Sequence, residues 1–254
     1  MGRHGASSHL KREAAPRFWP IHKKEFTWTT KPSPGPHALK ESIPLVIALR
    51  EILGFAKTRK EAKRIISQGK IFVDGRVRLD EHFGVGLMDV ISILETKQNY
   101  RLMPIEKGLF MHPISEDEAK FKICRIENKS TLKSGNIQLN LHDGKNVMIR
   151  AESSPNPPGD IYGVFDSLVI GLPGQELLEH LKLKEGMLSL FVAGKNAGKY
   201  GAITSIEEQT GQKRRKALVT IEDQAGNTFQ TTLDCVFVIG DKTPRISLPN
   251  LGGQ

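Results

Sequence analysis

The stretch KTRKEAKRIISQGKIFVDGRVRLD, Lys57–Asp80, decides how this chain is read. Thr58 and Glu61 stand at the spacing of a capping box, where hydroxyl and carboxylate each accept from the other residue's backbone amide. Such a box is worth about 1 kcal/mol at a helix start. Gly69 sits where a left-handed stop belongs. Between these signals, at about 100° per residue, Ala62, Ile65 and Ile66 fall on one side of a helix. Arg59, Lys60, Lys63 and Arg64 share a sector of about 140° on the other. IFV then reads as a strand, Asp74–Gly75 as a type I′ turn, and RVRL as a returning strand that carries Arg76 and Arg78. Lys57–Arg78 holds eight basic and two acidic residues. A basic helix face alone is ordinarily just solvated. A hairpin that adds its own arginines to that face makes a phosphate-binding patch.

Upstream, SIPLVIALREILG places Leu45, Val46, Leu49, Ile52 and Leu53 on one apolar helical stripe. The pattern predicts Ser42 as N-cap and Gly54 just past the end. Residues 1–42 have no helical or strand periodicity and are broken by Pro16, Pro20, Pro32, Pro34 and Pro36. They carry eight Lys/Arg against three Asp/Glu, a +5 excess out of +9 for the whole chain. The expectation is an extended cationic arm that follows a phosphate backbone, lined by Arg3, Lys11, Arg12, Arg17, Lys23, Lys24 and Lys31. At ~3.3 Å per residue it could span at most about 140 Å. Phe18, Trp19, Phe26 and Trp28 are interleaved with these charges. Two destinations stay open for the rings: stacking on bases, or packing on the protein's own body.

Beyond residue 95 the chain turns β-rich. MDVISI closes the unit before it. FKICRIE, NIQLNL, NVMIR and DSLVIGLP read as strands, with HDGK as a turn and SPNPPGD as a loop. Ile137, Leu139 and Leu141 alternate with Gln138 and Asn140, the mark of a strand with one buried face. A third unit begins near Leu172, where ALVTIED, NTFQTTL and CVFVIG are short strands at the spacing of a small closed β-barrel.

The third unit contains VAGKNAGKYGAI, Val192–Ile203, which has the vocabulary of a nucleotide-binding loop but not its grammar. Gly194 and Gly198 enclose three residues rather than four, Lys199 is followed by Tyr200, and the continuation is β-branched. Nucleotide hydrolysis is therefore excluded. The glycines suit a β-turn-β element from which Lys195, Asn196 and Lys199 project, with KRRK at 213–216 as a second basic cluster. Cys124 and Cys235 are isolated, with no metal-ligand spacing, and read as small buried hydrophobes. The histidines are scattered, and His142 reads as a polar turn residue. The middle β-rich region shows no nucleophile elbow or metal triad. No apolar run approaches the roughly 20 residues of a membrane span, and the basic N-terminus lacks a signal-peptide core.

Helix–turn–helix followed by IFVDGRV resembles the small RNA-binding fold shared by bacterial ribosomal protein S4, pseudouridine synthases and tyrosyl-tRNA synthetases. GKNAGKYGAI is similar to the KOW motif of ribosomal proteins and elongation factors, which sits in an SH3-like barrel. The ordered set HLKREAAPRFWPI, KPSPGPHALKESIPLVIALR, VDGRVR, MDVISI, HDGK, DSLVIGLP, GKNAGKYGAI and FVIGDKTPRISLPNLGGQ closely resembles, over nearly the full length, the small-subunit ribosomal protein family S4e of archaea and eukaryotes. The ending lacks the long basic extension of the eukaryotic members, so an archaeal-type member is expected.

The expected architecture is α+β, multi-domain and mostly β. It comprises a basic N-terminal tail (1–42), an S4-like RNA-binding domain (43–95), a central β-rich domain (96–171), a KOW/SH3-like barrel (172–242) and a C-terminal tail (243–254). The resemblance implies a non-catalytic constituent of the cytoplasmic 30S subunit, with 16S rRNA and neighbouring small-subunit proteins as partners. It implies no cofactor, no membrane and no small-molecule substrate. Arg59, Lys60, Lys63, Arg64, Arg76 and Arg78 are expected to grip phosphates, with Lys195, Asn196, Lys199 and Tyr200 as a distal anchor. The rivals are an S4-domain RNA-modifying enzyme and a KOW transcription elongation factor.

Overall fold

The computed structural model describes residues 7–106, 108–150, 161–207, 214–223 and 225–249. Arg3, Lys213 and the SPNPPGD loop lie outside them. Where an extended arm is expected, residues 7–42 fold back on the body. Strand β1 (Leu10–Lys11) pairs antiparallel with β2 (Trp28–Thr29). Leu10, Ala15, Trp19 and Ile21 enter the first hydrophobic core. The Trp19 indole is 3% exposed and its Nε1–H donates to the Ser42 carbonyl at 2.8 Å. The prolines forbid long ladders and helices here, but they do not prevent apolar side chains from packing singly.

Ser42–Pro44 forms β3 instead of starting a helix, and Ser42 is not the N-cap. Pro44 disfavours helical backbone at Ile43, and Pro44 itself takes the N-cap position with φ −60° and ψ 140°. Helix α1 (Leu45–Ile47) continues as π turns over Ala48–Ile52, and Gly54 follows at φ +68°. Helix α2 (Arg59–Ser67) starts with the capping box: Glu61 N–H donates to Thr58 Oγ1 at 3.3 Å, and Thr58 N–H donates to Glu61 Oε2 at 3.1 Å. Ala62 and Ile66 are buried, and Gly69 ends the helix at φ +74°.

Next come β4 (Ile71–Val73) and β5 (Arg76–Val77), joined at Asp74 and Gly75, both with positive φ as a type I′ turn requires. Strand β6 (Gly84–Gly86) pairs with β3, and β7 (Val90–Ile93) pairs with β4. Strands β8 (Gln98–Ile105) and β9 (Gly108–Ile114) complete a sheet of order β5-β4-β7-β8-β9. This last hairpin lies beyond residue 95 yet belongs to the first sheet, because β8 pairs directly with β7.

The second sheet holds β10 (Phe121–Thr131), β11 (Ile137–Leu141), β12 (Asn146–Ile149), β13 (Ser167–Gly171) and β14 (Leu177–Leu181). Its order is β12-β11-β10-β13-β14, so β14, beyond Leu172, pairs within this sheet. Burial alternates along Ile137–Leu141, as the apolar pattern requires. The third sheet holds β15 (Leu188–Phe191), β16 (Tyr200–Glu207), β17 (Leu218–Glu222), β18 (Thr228–Thr232) and β19 (Val236–Gly240). Its order is β18-β17-β16-β15-β19, antiparallel throughout. Past it, Ile246 is buried and Ser247 bonds Glu118 through both backbone and hydroxyl.

The sheets meet over a buried ionic cluster. Lys122 on β10 is fully enclosed, and its Nζ donates to Asp74 and Asp143, both at 3.0 Å, and to Asp89. Asp74 caps the β4–β5 turn and accepts from Val90 N–H at 3.1 Å. Asp89 accepts from Gly86 N–H at 2.8 Å and pairs with His37 of the arm at 2.9 Å. Lys145 bridges Asp74 and Asp143 at 2.8 and 3.1 Å. Burial alone would raise Asp89 and Asp143, but Lys122 together with His37 and the Gly86 amide at Asp89, and with His142 and Lys145 at Asp143, outweighs it and holds both well below the usual carboxylate range.

Two outcomes are expected. Lys122→Met removes the cation shared by three buried carboxylates and should cost about 3–5 kcal/mol in chemical denaturation. A cost under about 1 kcal/mol would show that the cluster does not hold the fold. An unfolded aspartate binds its proton near pH 4, whereas the folded Asp89 and Asp143 do not. Their contribution is therefore complete above about pH 4 and is lost as pH falls below it. A pH series of denaturation midpoints should steepen in that window, and Asp89→Asn should reduce the steepness.

Candidate nucleic-acid interface

The segment after the Asp74–Gly75 turn runs back along α2. Val77 and Leu79 lie against Gly69 at the end of the helix, while Glu81 reaches Arg59 at its start. Arg59, Lys60, Lys63 and Arg64 are exposed along α2, and Arg76 is exposed on β5, on elements fixed by the core beneath. Glu81 receives two hydrogen bonds from Arg59, both at 3.1 Å, and lies 3.4 Å from Lys63. Burial would raise the Glu81 carboxyl, but Arg59 and then Lys63 hold it below its ordinary value. Two of the four helix cations are thus partly satisfied within the chain. Lys60, Arg64 and Arg76 have no ion-pair partner among the described residues. Arg78 is half-buried with its guanidinium 4.2 Å from the Phe83 ring centre, so it packs as much as it projects. A cleft of about 390 Å³ opens at the base of the hairpin, lined by Arg76, Arg78, Phe83 and Lys145.

On the arm, Lys11, Arg17, Lys23 and Lys24 are exposed, and Lys31 is half-buried with its Nζ donating to the Ser7 carbonyl. Arg12 faces inward. It is 4% exposed, donates to the His22 carbonyl and Glu25, and lies 5.1 Å from the Phe26 ring centre. Its guanidinium holds the arm's own loop, so the expectation that it faces a phosphate is corrected. The arm is seated closely: a Cβ on Gly86 would come within 2.3 Å of the His37 ring, and one on Gly108 within 2.6 Å of Phe18 Cβ.

The glycine-rich loop joins β15 to β16 through backbone bonds Gly198 N–H to Phe191 O and Phe191 N–H to Lys199 O, both 2.9 Å. Lys195 is exposed, Asn196 is half-buried, and Lys199 places its Nζ 4.2 Å from the Phe229 ring centre. Tyr200 packs half-buried against the second core, so its ring is a core contact and not a free one. A Cβ on Gly201 would meet the Glu222 carbonyl oxygen at 2.2 Å, which fixes glycine where β16 crosses β17. The loop is not remote from the arm. It shares a cavity of about 620 Å³ with Phe18, His37 and Lys40. Arg214–Lys216 form a 3₁₀ turn, with Arg215 3.3 Å from Glu127.

Sequence patterns alone missed the internal cations. Arg101, fully buried, donates to the Glu118 carboxylate and to the carbonyls of Glu118 and Phe121 at 3.0 and 2.8 Å. Burial lowers its guanidinium to about 10. Arg125 reaches the Asp234 and Val236 carbonyls at 2.7 and 2.9 Å and ties the second sheet to the third. His142 is more than a turn residue. It accepts from Arg125 N–H at 3.1 Å and sits 3.2 Å from the Leu87 carbonyl, so Nε2 carries the proton and donates. Burial, then the Lys122 charge, pushes the ring down to about 3. Cys124 is buried, and its thiol is pushed up by that burial, whereas Cys235 is half-exposed and lines the larger cavity. No cluster of three or more His, Cys, Asp or Glu among the described residues is arranged to hold a metal ion.

Three family models match the chain: the RS4NT (NUC023) domain over residues 4–40, the S4 domain over 44–91, and Ribosomal family S4e over 96–177. The small ribosomal subunit protein eS4 of Aeropyrum pernix is 48% identical over 250 residues, 98% of each chain. That of Desulfurococcus amylolyticus is 49% identical over 250 residues, again 98% of each. The crystal structure of the 30S ribosomal protein S4e from Thermoplasma acidophilum superposes with TM-score 0.65 at 28% identity, covering 79% of this chain and 96% of that one. Identity near one half along almost the whole chain, with the mostly β architecture shared, places this chain in the ribosomal protein eS4 family.

Proposed function

We propose that this chain is a structural, non-catalytic constituent of the small ribosomal subunit in the cytoplasm. It binds and stabilises 16S rRNA through the phosphate backbone and RNA shape, and so supports translation. The observation that carries the reading is the exposure of Lys60 and Arg64 on α2 and of Arg76 on the β5 that follows it, with no ion-pair partner for any of the three among the described residues. The full-length likeness to small ribosomal subunit proteins eS4 supports it over the modifying-enzyme and elongation-factor readings. No helix among the described residues is long and apolar enough to cross a membrane.

In this reading Lys11, Arg17, Lys23, Lys24 and Lys31 of the arm contact backbone phosphates, as Arg3 would ahead of them. Arg59 and Lys63 contribute the donors that Glu81 leaves over. Lys195, Asn196 and Lys199 form a further contact on a KOW-type loop of an SH3-like barrel, with neighbouring small-subunit proteins alongside. A-form RNA hides its major-groove edges, so charge placement and shape carry recognition.

Each neutralised phosphate steepens the fall of affinity with salt by about 0.7–0.9 on a log–log plot. Affinity for small-subunit rRNA should therefore drop steeply between low and moderate salt. Lys60→Ala, Arg64→Ala and Arg76→Ala should each flatten the slope by about that amount with thermal stability unchanged. Arg12→Ala should do the reverse, leaving the slope and lowering stability by about 1–3 kcal/mol. A salt titration that stays flat for the native protein contradicts the reading.

A further inference from the structure

Among the described residues, the two most exposed Phe or Trp residues lie two positions apart on the arm. Phe26 is 66% and Trp28 56% exposed, while the next, Phe110, is 41% exposed. These rings are not on a loose tail. Lys11 pairs with Trp28 across β1 and β2, and Arg12 N–H donates to the Thr27 carbonyl at 3.0 Å between the two rings. The buried Arg12 guanidinium supports the Phe26 ring from beneath. Around Trp28, the His9 ring lies 5.7 Å away and Lys11 Nζ 5.9 Å from the indole centre. Phe18 and Trp19 of the same arm are turned into the core, so the hairpin sorts its four large rings into two inward and two outward.

Two exposed rings carried by a paired hairpin, with the exposed Lys11 beside one of them in a cationic segment, suit an occupant with a flat π face and negative charge. Residues 9–31 contain six Lys/Arg and two Asp/Glu, a +4 excess. An acidic protein surface offers charge but few flat faces. Duplex RNA offers charge, but its bases already stack on one another. An unpaired stretch of RNA offers both. Because the backbone pairing orders the rings beforehand, stacking costs little further conformational freedom. We infer that Phe26 and Trp28 form a stacking platform for unpaired RNA bases, with Lys11, Lys23 and Lys24 on the flanking phosphates. The platform makes the arm selective for looped-out or single-stranded nucleotides rather than for backbone alone. This rests on the RNA-binding reading above.

The test compares two RNAs with equal phosphate number, a fully paired hairpin and one carrying an unpaired internal loop, at fixed salt with the full chain. Native protein should bind the unpaired RNA about tenfold or more tightly than the paired one. Trp28→Ala and Phe26→Ala should each remove most of that preference, while Trp28→Phe should retain it. Should an alanine variant fail to fold, native fluorescence supplies the second readout. Unpaired RNA should quench the exposed Trp28, leaving the buried Trp19 emission, and paired RNA should quench little. Equal affinity for the two RNAs, or unchanged emission on binding, overturns the platform. If binding then remains salt-dependent, the phosphate clamp stands and only the stacking role falls. If binding is also insensitive to salt, the RNA-binding reading itself falls.

Discussion

One ammonium group sets the relation between the parts of this molecule. Lys122 stands on the central strand of the second sheet and is fully buried, and its three carboxylate partners come from the Asp74 turn, Asp89 and the Asp143 turn. A single buried charge would be prohibitively costly, and a buried pair is often no better than an apolar contact. Here the donors of Lys122 are shared among three anions, Lys145 adds a second cation, and backbone amides fill the remaining carboxylate sites. Such a cluster contributes little to stability by its mere existence but tolerates no other arrangement of its members. It makes the first and second sheets a single geometry. Through His37 on Asp89, it also holds the C-terminal part of the arm against the body.

That geometry decides which cations are left for a partner. The chain carries 37 Lys and Arg, but Arg12, Arg101, Lys122, Arg125 and Lys145 are spent inward on carbonyls and carboxylates. Glu81 takes part of two more on α2. The net positive charge is nevertheless concentrated at the front of the chain, with +5 of the +9 in residues 1–42 and a further +6 excess over Lys57–Arg78, and both segments are seated on the first core. Rigid placement matters for a polyanion partner, because phosphate contacts read register and shape and not sequence. The close seating at Gly86 and Gly108 serves the same end, since any side chain there would push the arm off its bed.

Short-range features were legible in the sequence. The capping box at Thr58 and Glu61, the left-handed Gly69, the Asp74–Gly75 turn and the alternation at Ile137–Leu141 depend on neighbours a few residues apart. Ser42 was misplaced because Pro44, two residues on, forces extended backbone ahead of the helix. What sequence could not reveal is long-range. Lys122 looks like the polar member of an alternating strand, yet its partners lie 48, 33 and 21 residues away. Arg12 looked like its neighbours Lys11 and Arg17, and only the fold of residues 10–29 distinguishes it. The β8–β9 hairpin was hidden because Pro104 and Pro113 break the usual strand signal, and both are tolerated within the paired strands.

The most direct test of the central constraint is amide hydrogen exchange on the free protein, read at three amides of the arm and first sheet whose opening should respond to Lys122 on the second. Ser33 N–H bonds His82 O, Gly86 N–H bonds Asp89, and Val90 N–H bonds Asp74. If the Lys122 cluster locks arm and sheets together, all three open with one common free energy, and Lys122→Met speeds them together. If Ser33 instead exchanges orders of magnitude faster than Gly86 and Val90, and Lys122→Met leaves the three rates unchanged, the parts are independent and the account is wrong.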